Sequence, residues 1–545
     1  MKRLSQVCQT PSSPKPGFSR NRTLAVRASL ALVAALSIGQ SLAVTRGGQM
    51  VFGRNADSLF LDPVLNDANL DIWILTNLYD TLLQPTDDGK SVRPGLASAY
   101  VLSTDGKTMR LTLRNGVKFA DGSPITAADV KFSLDRARNP DNGAWNGLLE
   151  SVASVAGSGN LVTLTLKHTD PTLPAALATF NAGIMSQKLF NAAAGANDAD
   201  KAKAFAEKPI GSGPFVLSEW KRGSYMVLKR NPYYWKKGED GKTLPYLDTL
   251  RFEIIPDDNT RILKLQAGEI QGAEFIPLSR VAELKANPKL NMVLFPSTKV
   301  SMVFVNNRPK LKDGTANPLS DVRVRQALNY AVNRDALLAL VTFGTGKPMK
   351  SFMSSSTPLF DTAQKGYSYD PVKAKALLSA AGFKNGIDVS SMATSGSADD
   401  QALLTALQQM WGAVGVRLKI EQLDAATKTA RYRANDFQMR TGAWTDDIAD
   451  PSEITGYYAV SGATDAAHTG FKNDTIEKLF VQSQQESSRV KRAELYRQIQ
   501  TIYTNASPTV YLFETPYPVA LAKNVKGFIQ IPLGNNIFER TSVEK

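Results

Sequence analysis

Asp105-Gly-Lys-Thr-Met-Arg-Leu-Thr-Leu-Arg-Asn-Gly-Val-Lys-Phe-Ala-Asp-Gly-Ser-Pro-Ile-Thr-Ala-Ala-Asp-Val-Lys-Phe-Ser-Leu-Asp-Arg136 reads as strand, turn and helix in succession. Met109, Leu111 and Leu113 alternate with polar neighbours, the period of a half-buried strand, and Leu161 to Lys167 alternates likewise. Asp121-Gly122 is a turn pair. Thr126 then caps a helix, Asp129 three residues on returns to its backbone N–H, and Val130 and Leu134 share one face. The same mixture continues downstream. Asp370-Pro371 opens a helix with Leu377 and Leu378 inward and Gly382 as its left-handed close. A single helix is expected from Ser320 or Asp321 to Leu340, with Val324, Leu328, Ala331 and Leu338 as its apolar stripe and Arg323, Arg325 and Arg334 facing elsewhere. Gln401 to Trp411 reads as another helix, followed by a strand at Val416 to Ile420. Strands and helices interleaved in this way predict α/β lobes with mixed sheets.

The first 43 residues read as a secretory signal peptide. Lys2, Arg3, Lys15, Arg20, Arg22 and Arg27 precede the apolar run Ala28 to Ile38, with no Asp or Glu among them. That run is about half the ~20 residues a membrane-spanning helix needs, and Ser41-Leu42-Ala43 is a small-x-small cleavage pattern, so cleavage is expected after about Ala43. Cys8 is the only cysteine and lies before the apolar run, so no lipidated mature N-terminus and no disulfide is expected. The leader carries six of the +14 formal charges and leaves +8 on a remainder whose Lys and Arg are scattered among Asp and Glu. A solvated basic surface follows, with no nucleic-acid partner. About 500 residues bury a large core and imply two or three domains.

Catalytic signatures are sparse. His168 and His468 are the only histidines, and neither stands in a zinc-binding spacing. Gly344-Thr-Gly-Lys347 is followed by Pro348 where a phosphate loop needs Ser or Thr, and Gly241-Lys-Thr243 has Lys236 where the earlier glycine belongs. No nucleophile elbow is present. The densest carboxylates are in Trp444-Thr445-Asp446-Asp447-Ile-Ala-Asp450-Pro451-Ser-Glu453. Such a group can serve calcium, a glycosidase acid pair or a cationic ligand, or can be a solvated loop; the glycine of an EF-hand is missing.

The opening stretch resembles the signature region of the family 5 extracellular solute-binding proteins, the peptide, dipeptide and nickel receptors of bacterial ABC importers. Further blocks similar to that family follow in order: Ile210-Gly-Ser-Gly-Pro-Phe215, Lys229-Arg-Asn-Pro-Tyr-Tyr-Trp235, Gln266-Ala-Gly-Glu-Ile270, Asp321-Val-Arg-Val-Arg-Gln-Ala-Leu328 and Tyr369-Asp-Pro-Val-Lys-Ala-Lys-Ala-Leu-Leu378. These residues are expected to build the fold, with Gly211 and Gly213 permitting tight backbone and Tyr233, Tyr234 and Trp235 packing against a lobe. The resemblance implies a periplasmic-binding-protein-like architecture. A first lobe would use 44–82, 205–300 and 509–545, with a subdomain inserted at 83–204. A second lobe would use 301–508, and the ligand would lie between the lobes at a hinge.

In peptide-binding relatives an aspartate shortly after a tryptophan meets the ligand's α-ammonium, and the similar pattern here, Trp-x-x-Asp followed by an acidic residue and Pro, puts Trp444, Asp447, Asp450 and Pro451 in those places, with Thr445 and Asp446 beside them as further candidates. The doublet Asp446-Asp447 leaves the register open by one residue. Thr441 stands where oligopeptide-type members place an Arg, and Arg440 is its neighbour, so the anchor for a ligand carboxylate is unidentified. The resemblance also implies that Asn66-Asp67-Ala68-Asn69 and Thr179-Phe180-Asn181-Ala182 line the first-lobe wall. The expected function is a periplasmic, monomeric receptor that delivers short peptides to an inner-membrane ABC permease and its ATPase, with no catalytic residues, metal or cofactor. A cationic opine, a guanidino compound or a chelated metal are alternative cargoes; a secreted carboxylate-dependent hydrolase and a peptide-holding chaperone are alternatives of another class.

Overall fold

The computed structural model describes residues 44–545 except 67, 144 and 462–466, so the leader, its cleavage point, Cys8 and Asp67 lie outside the described residues. Three large sheets organise the compact body from Thr45 to Lys545. The first has seven strands, with Gln49–Arg54 parallel to both Thr249–Ile254 and Gly272–Ala273. Tyr517–Ala522 runs antiparallel to Gly272–Ala273, and Leu290–Phe295 runs antiparallel to Tyr517–Ala522 at the sheet's edge. The second has six strands, in which Ile387–Thr394 is parallel to Val416–Leu423 and Met439–Trp444, while Val300–Val305 is antiparallel to Met439–Trp444 and Thr509–Glu514. The third, an antiparallel four-stranded sheet made from Ala97–Leu102, Thr108–Leu113, Leu161–Leu166 and Val152–Ser158, is inserted between strands of the first. The chain passes between the first and second sheets twice, at 296–299 and at 515–516.

Local rules account for the opening stretch. Met109, Leu111 and Leu113 are buried on one face of their strand, and Thr126 and Asp129 form a reciprocal capping box at the start of Ala127–Ala137. That helix lays Val130 and Leu134 on the third sheet. Gly211 and Gly213 press on the end of Asn69–Leu78: a Cβ on Gly211 would lie 2.1 Å from the Leu78 carbonyl oxygen. Tyr234 is buried with its hydroxyl donating to Glu539, and the Trp235 indole donates to Asp80.

Three expectations are corrected. The single helix to Leu340 is two, Val322–Tyr330 and Arg334–Val341, because the Asn333 side chain accepts from the Ala336 N–H and caps a fresh helix. Arg325 and Arg334 face the interior, donating to the carbonyls of Leu319 and Ser507 and of Tyr511 and Tyr367; a guanidinium tolerates burial when backbone acceptors take its protons. Residues 509–514 do not rejoin the first lobe: Thr509–Glu514 pairs with Val300–Phe304 in the second sheet, and the return crossing follows it.

Candidate functional site

In open α/β sheets ligands bind beyond the carboxyl ends of the parallel strands. In the first sheet those ends are Arg54, Ile254 and Ala273, and the antiparallel Tyr517–Ala522 begins on the same edge. In the second sheet they are Thr394, Leu423 and Trp444, and Val300–Val305 begins there. Both crossings leave from these two edges, which therefore meet at the hinge. The crossings are joined: the Ser297 hydroxyl donates to the Thr515 carbonyl.

The loop after Trp444 forms the second-lobe wall. The Trp444 ring packs on Tyr457 and Tyr458 at 4.8 and 5.2 Å, and its indole N–H donates to Asp446 Oδ1 at 3.1 Å. Asp446 is fully buried; Oδ2 accepts the Thr357 hydroxyl at 2.6 Å and its backbone N–H donates to Thr298 Oγ1 at 2.8 Å. Burial pushes its carboxyl up to about 7. Asp450 is spent on Arg492, with Nη2 donating to Oδ1 at 2.7 Å. Asp447 has no such commitment. Its side chain is half-buried, burial raises its pKa, and it lies against Glu453, whose Oε2 accepts the N–H groups of Asp447 and Ile448 at 2.8 and 3.2 Å. Burial, and next the Asp447 charge, push Glu453 well above the usual carboxylate range. Two carboxyls this close each hold a proton more tightly than a solvated one, and a cation beside them would reverse that. Among the described residues no lysine or arginine pairs with either. The register left open by the doublet is thus divided by role: Asp446 braces the loop and Asp447 is the carboxylate that remains.

Thr445 meets the Tyr517 hydroxyl, joining this wall to the first lobe. Arg440 stands four residues back from the edge, its guanidinium 4.2 Å above the Phe304 ring and 4.5 Å above Tyr432, and donates to the Ala467 carbonyl at 3.1 Å. Asn66, Phe180 and Asn181 are buried around Trp145: its indole donates to the Asn66 carbonyl at 3.0 Å, Asn181 donates to its carbonyl at 3.2 Å, and Phe180 meets its ring edge-on at 5.2 Å. They hold Trp145, which with His168 and Asp170 faces Glu453, Tyr457 and Phe480 across a cavity of about 340 Å³. Among the described residues no group of His, Cys, Asp and Glu side chains is arranged to hold a metal ion, and no helix is long and apolar enough to cross a membrane.

Sequence reasoning missed Lys299, Trp73, Phe275 and Tyr517. Lys299 lies in the first crossing, half-buried, with burial lowering its pKa against the pull of Asp399. Trp73 stacks on Phe275 at 5.1 Å and meets Tyr517 edge-on at 6.2 Å, forming the first-lobe wall. No periodicity marks these four residues; the crossing between strands is the only local signal for Lys299.

The model of the bacterial extracellular solute-binding proteins, family 5 Middle, matches residues 91–465. The chain is 31% identical to the dipeptide-binding protein of Escherichia coli (strain K12) over 492 residues, 86% of this chain and 89% of that protein. Among solved structures it is similar to the ABC transporter-associated periplasmic binding protein DppA from Helicobacter pylori in complex with peptide STSA. That likeness has a TM-score of 0.76 and 25% identity and covers 92% of this chain and 99% of the other. It is also similar to AgaA from A. tumefacien R10 in complex with agropinic acid, with a TM-score of 0.74 and 26% identity over 91% of this chain and 99% of that one.

Proposed function

The chain belongs to the family 5 bacterial extracellular solute-binding proteins of ABC importers, binding proteins rather than enzymes, and from that premise we propose that it captures short peptides by their free amine. The receptor works in the periplasm, is not lipidated, and hands its solute to an inner-membrane permease driven by an ATPase. One observation carries the reading: Asp447 is a half-buried carboxyl at the cleft edge with another carboxyl, Glu453, beside it and no cation paired with it among the described residues. An α-ammonium entering there supplies the missing charge. Closing an empty cleft over Asp447 is unfavourable and closing it over an amine is not, so the solute selects the closed form. The peptide's own backbone can be met by strand-like pairing at the exposed edges, which tolerates any sequence.

The relative in complex with agropinic acid favours a second reading, a receptor for an opine. Isothermal titration separates the two. Di- to pentapeptides bind the wild type, and Asp447→Asn weakens them by about 2–5 kcal/mol, while N-acetylated peptides bind both proteins equally poorly. Equal affinity of wild type and Asp447→Asn for free-amine peptides would remove the amine contact. Binding of agropinic acid with no binding of any peptide would replace the cargo.

A further inference from the structure

Phe275 combines two costs. Its ring is 38% exposed at the cleft edge of the first sheet, and its backbone is left-handed, with φ at 54°. Bulky residues rarely adopt that conformation, and it persists where the surroundings over-determine it. Here they do. The Glu274 side chain is held by Arg54 at 2.9 Å and by Asn536 at 2.8 Å. The Ile276 N–H donates to the Pro518 carbonyl at 3.3 Å. The Phe275 carbonyl itself accepts Nη2 of the fully buried Arg261 at 3.0 Å.

All of this clamping leaves the ring in one place, lying on Trp73 with centroids 5.1 Å apart and planes 20° from parallel. Trp73 is only 4% exposed and is backed edge-on by Tyr517. Gly534 makes room for it, since a Cβ there would fall 2.8 Å from the indole nitrogen. A core residue would be covered all round; the Phe275 ring is stacked on Trp73 and still 38% exposed. Tyr517 also meets Thr445, two residues from Asp447, so the open ring and the free carboxylate border the same cleft from opposite lobes.

We propose that Phe275, backed by Trp73, is a shelf on which a flat apolar group of the bound solute lies, so that the cleft favours peptides carrying an aromatic residue. This rests on the peptide reading above and names the side-chain class it selects. The amine goes to Asp447 on one wall, and an aromatic side chain continues the Trp73–Phe275 stack on the other. The offset ring geometry needed for such a stack is already set before the solute arrives.

The test is calorimetric titration of the full chain with Phe-Ala, Ala-Phe and Ala-Ala. The proteins are the wild type, Phe275→Gly, which accepts positive φ without strain, and Phe275→Leu, which keeps apolar bulk without a flat face. At least one Phe-containing peptide should bind the wild type about 10-fold tighter than Ala-Ala. That ratio should shrink to within about 3-fold in both variants, because the Phe-containing peptides lose more affinity than Ala-Ala does, and the melting temperature of Phe275→Gly should stay level or rise. The shelf is overturned if the ratio survives in the variants, or if all three peptides weaken equally, which would make Phe275 a contact between lobes. If the wild type binds none of the three, the peptide reading itself fails, and the shelf for a peptide side chain falls with it.

Discussion

The two walls of the cleft are built on opposite principles. On the second lobe, carboxyls crowd the loop after Trp444 and the first turn of the helix that follows it: Asp446 is braced by Thr357 and Thr298, Asp450 is paired with Arg492, and Asp447 and Glu453 are left to face each other. On the first lobe Trp73, Phe275 and Tyr517 offer rings, and the local price is backbone strain in place of unpaired charge. Charge acts at a distance and discriminates by sign; an aromatic face acts on contact and discriminates by shape. A receptor with one wall of each kind can accept many solutes that share an amine and still rank them by what else they carry.

The largest expected effects test whether each wall is pinned by its own buried ion pair. Arg492→Met leaves Asp450 buried and unpaired, and Arg54→Met does the same to Glu274, whose pair with Arg54 is 1% exposed on both sides. Each should cost about 3–5 kcal/mol in denaturant unfolding. Loss of aromatic-peptide preference with Arg54→Met alone, at temperatures where both variants are folded, would sharpen the division of labour. A loss common to both would break it.

Smaller, and confined to the acidic wall, is a pH effect. Asp446 titrates near 7 in the folded protein against 3.8 as its ordinary value. The native state therefore holds a proton that the unfolded chain has released, and stability declines as pH rises from about 4 through about 7. Thermal unfolding should show a lower midpoint at pH 8 than at pH 5, and Asp446→Asn, which mimics the protonated form, should flatten the slope. A slope unchanged in Asp446→Asn would assign it to other groups. The smallest effect joins the walls: Thr445→Val removes the partner of the Tyr517 hydroxyl and should lower unfolding stability by about 1 kcal/mol. No change in Thr445→Val would mean that the walls touch without holding.

What could be read from the sequence was local. The Thr126–Asp129 box and the alternation around Leu111 lie within a few residues and need no knowledge of the rest of the chain. The spacing from Trp444 singled out Asp447 as a candidate, but it could not separate Asp447 from Asp446, because the groups that claim Asp446 are Thr298 and Thr357. Arg325 and Arg334 looked like surface residues for the same reason: the carbonyls that take their protons include those of Ser507 and Tyr511. Asn66 and Asn181, expected on the first-lobe wall, are buried against Trp145. The aromatic wall was invisible, since a left-handed phenylalanine is imposed by Arg54, Arg261 and Pro518 and by nothing in its own neighbourhood.

The Ser297–Thr515 bond ties the two crossings into a single stitch. A door on one stitch turns about one axis, and points close to the axis travel little. Asp447 is one residue from Asp446, whose N–H is bonded to Thr298 inside the first crossing, so the carboxylate sits near the pivot and is almost where it will finish before the door moves. The solute's amine can therefore be seated first, with the lobes apart. On the peptide reading proposed above, the outer rim then sweeps in over whatever length and bulk hang from it, and the expected order is charge, then rotation, then ring on ring.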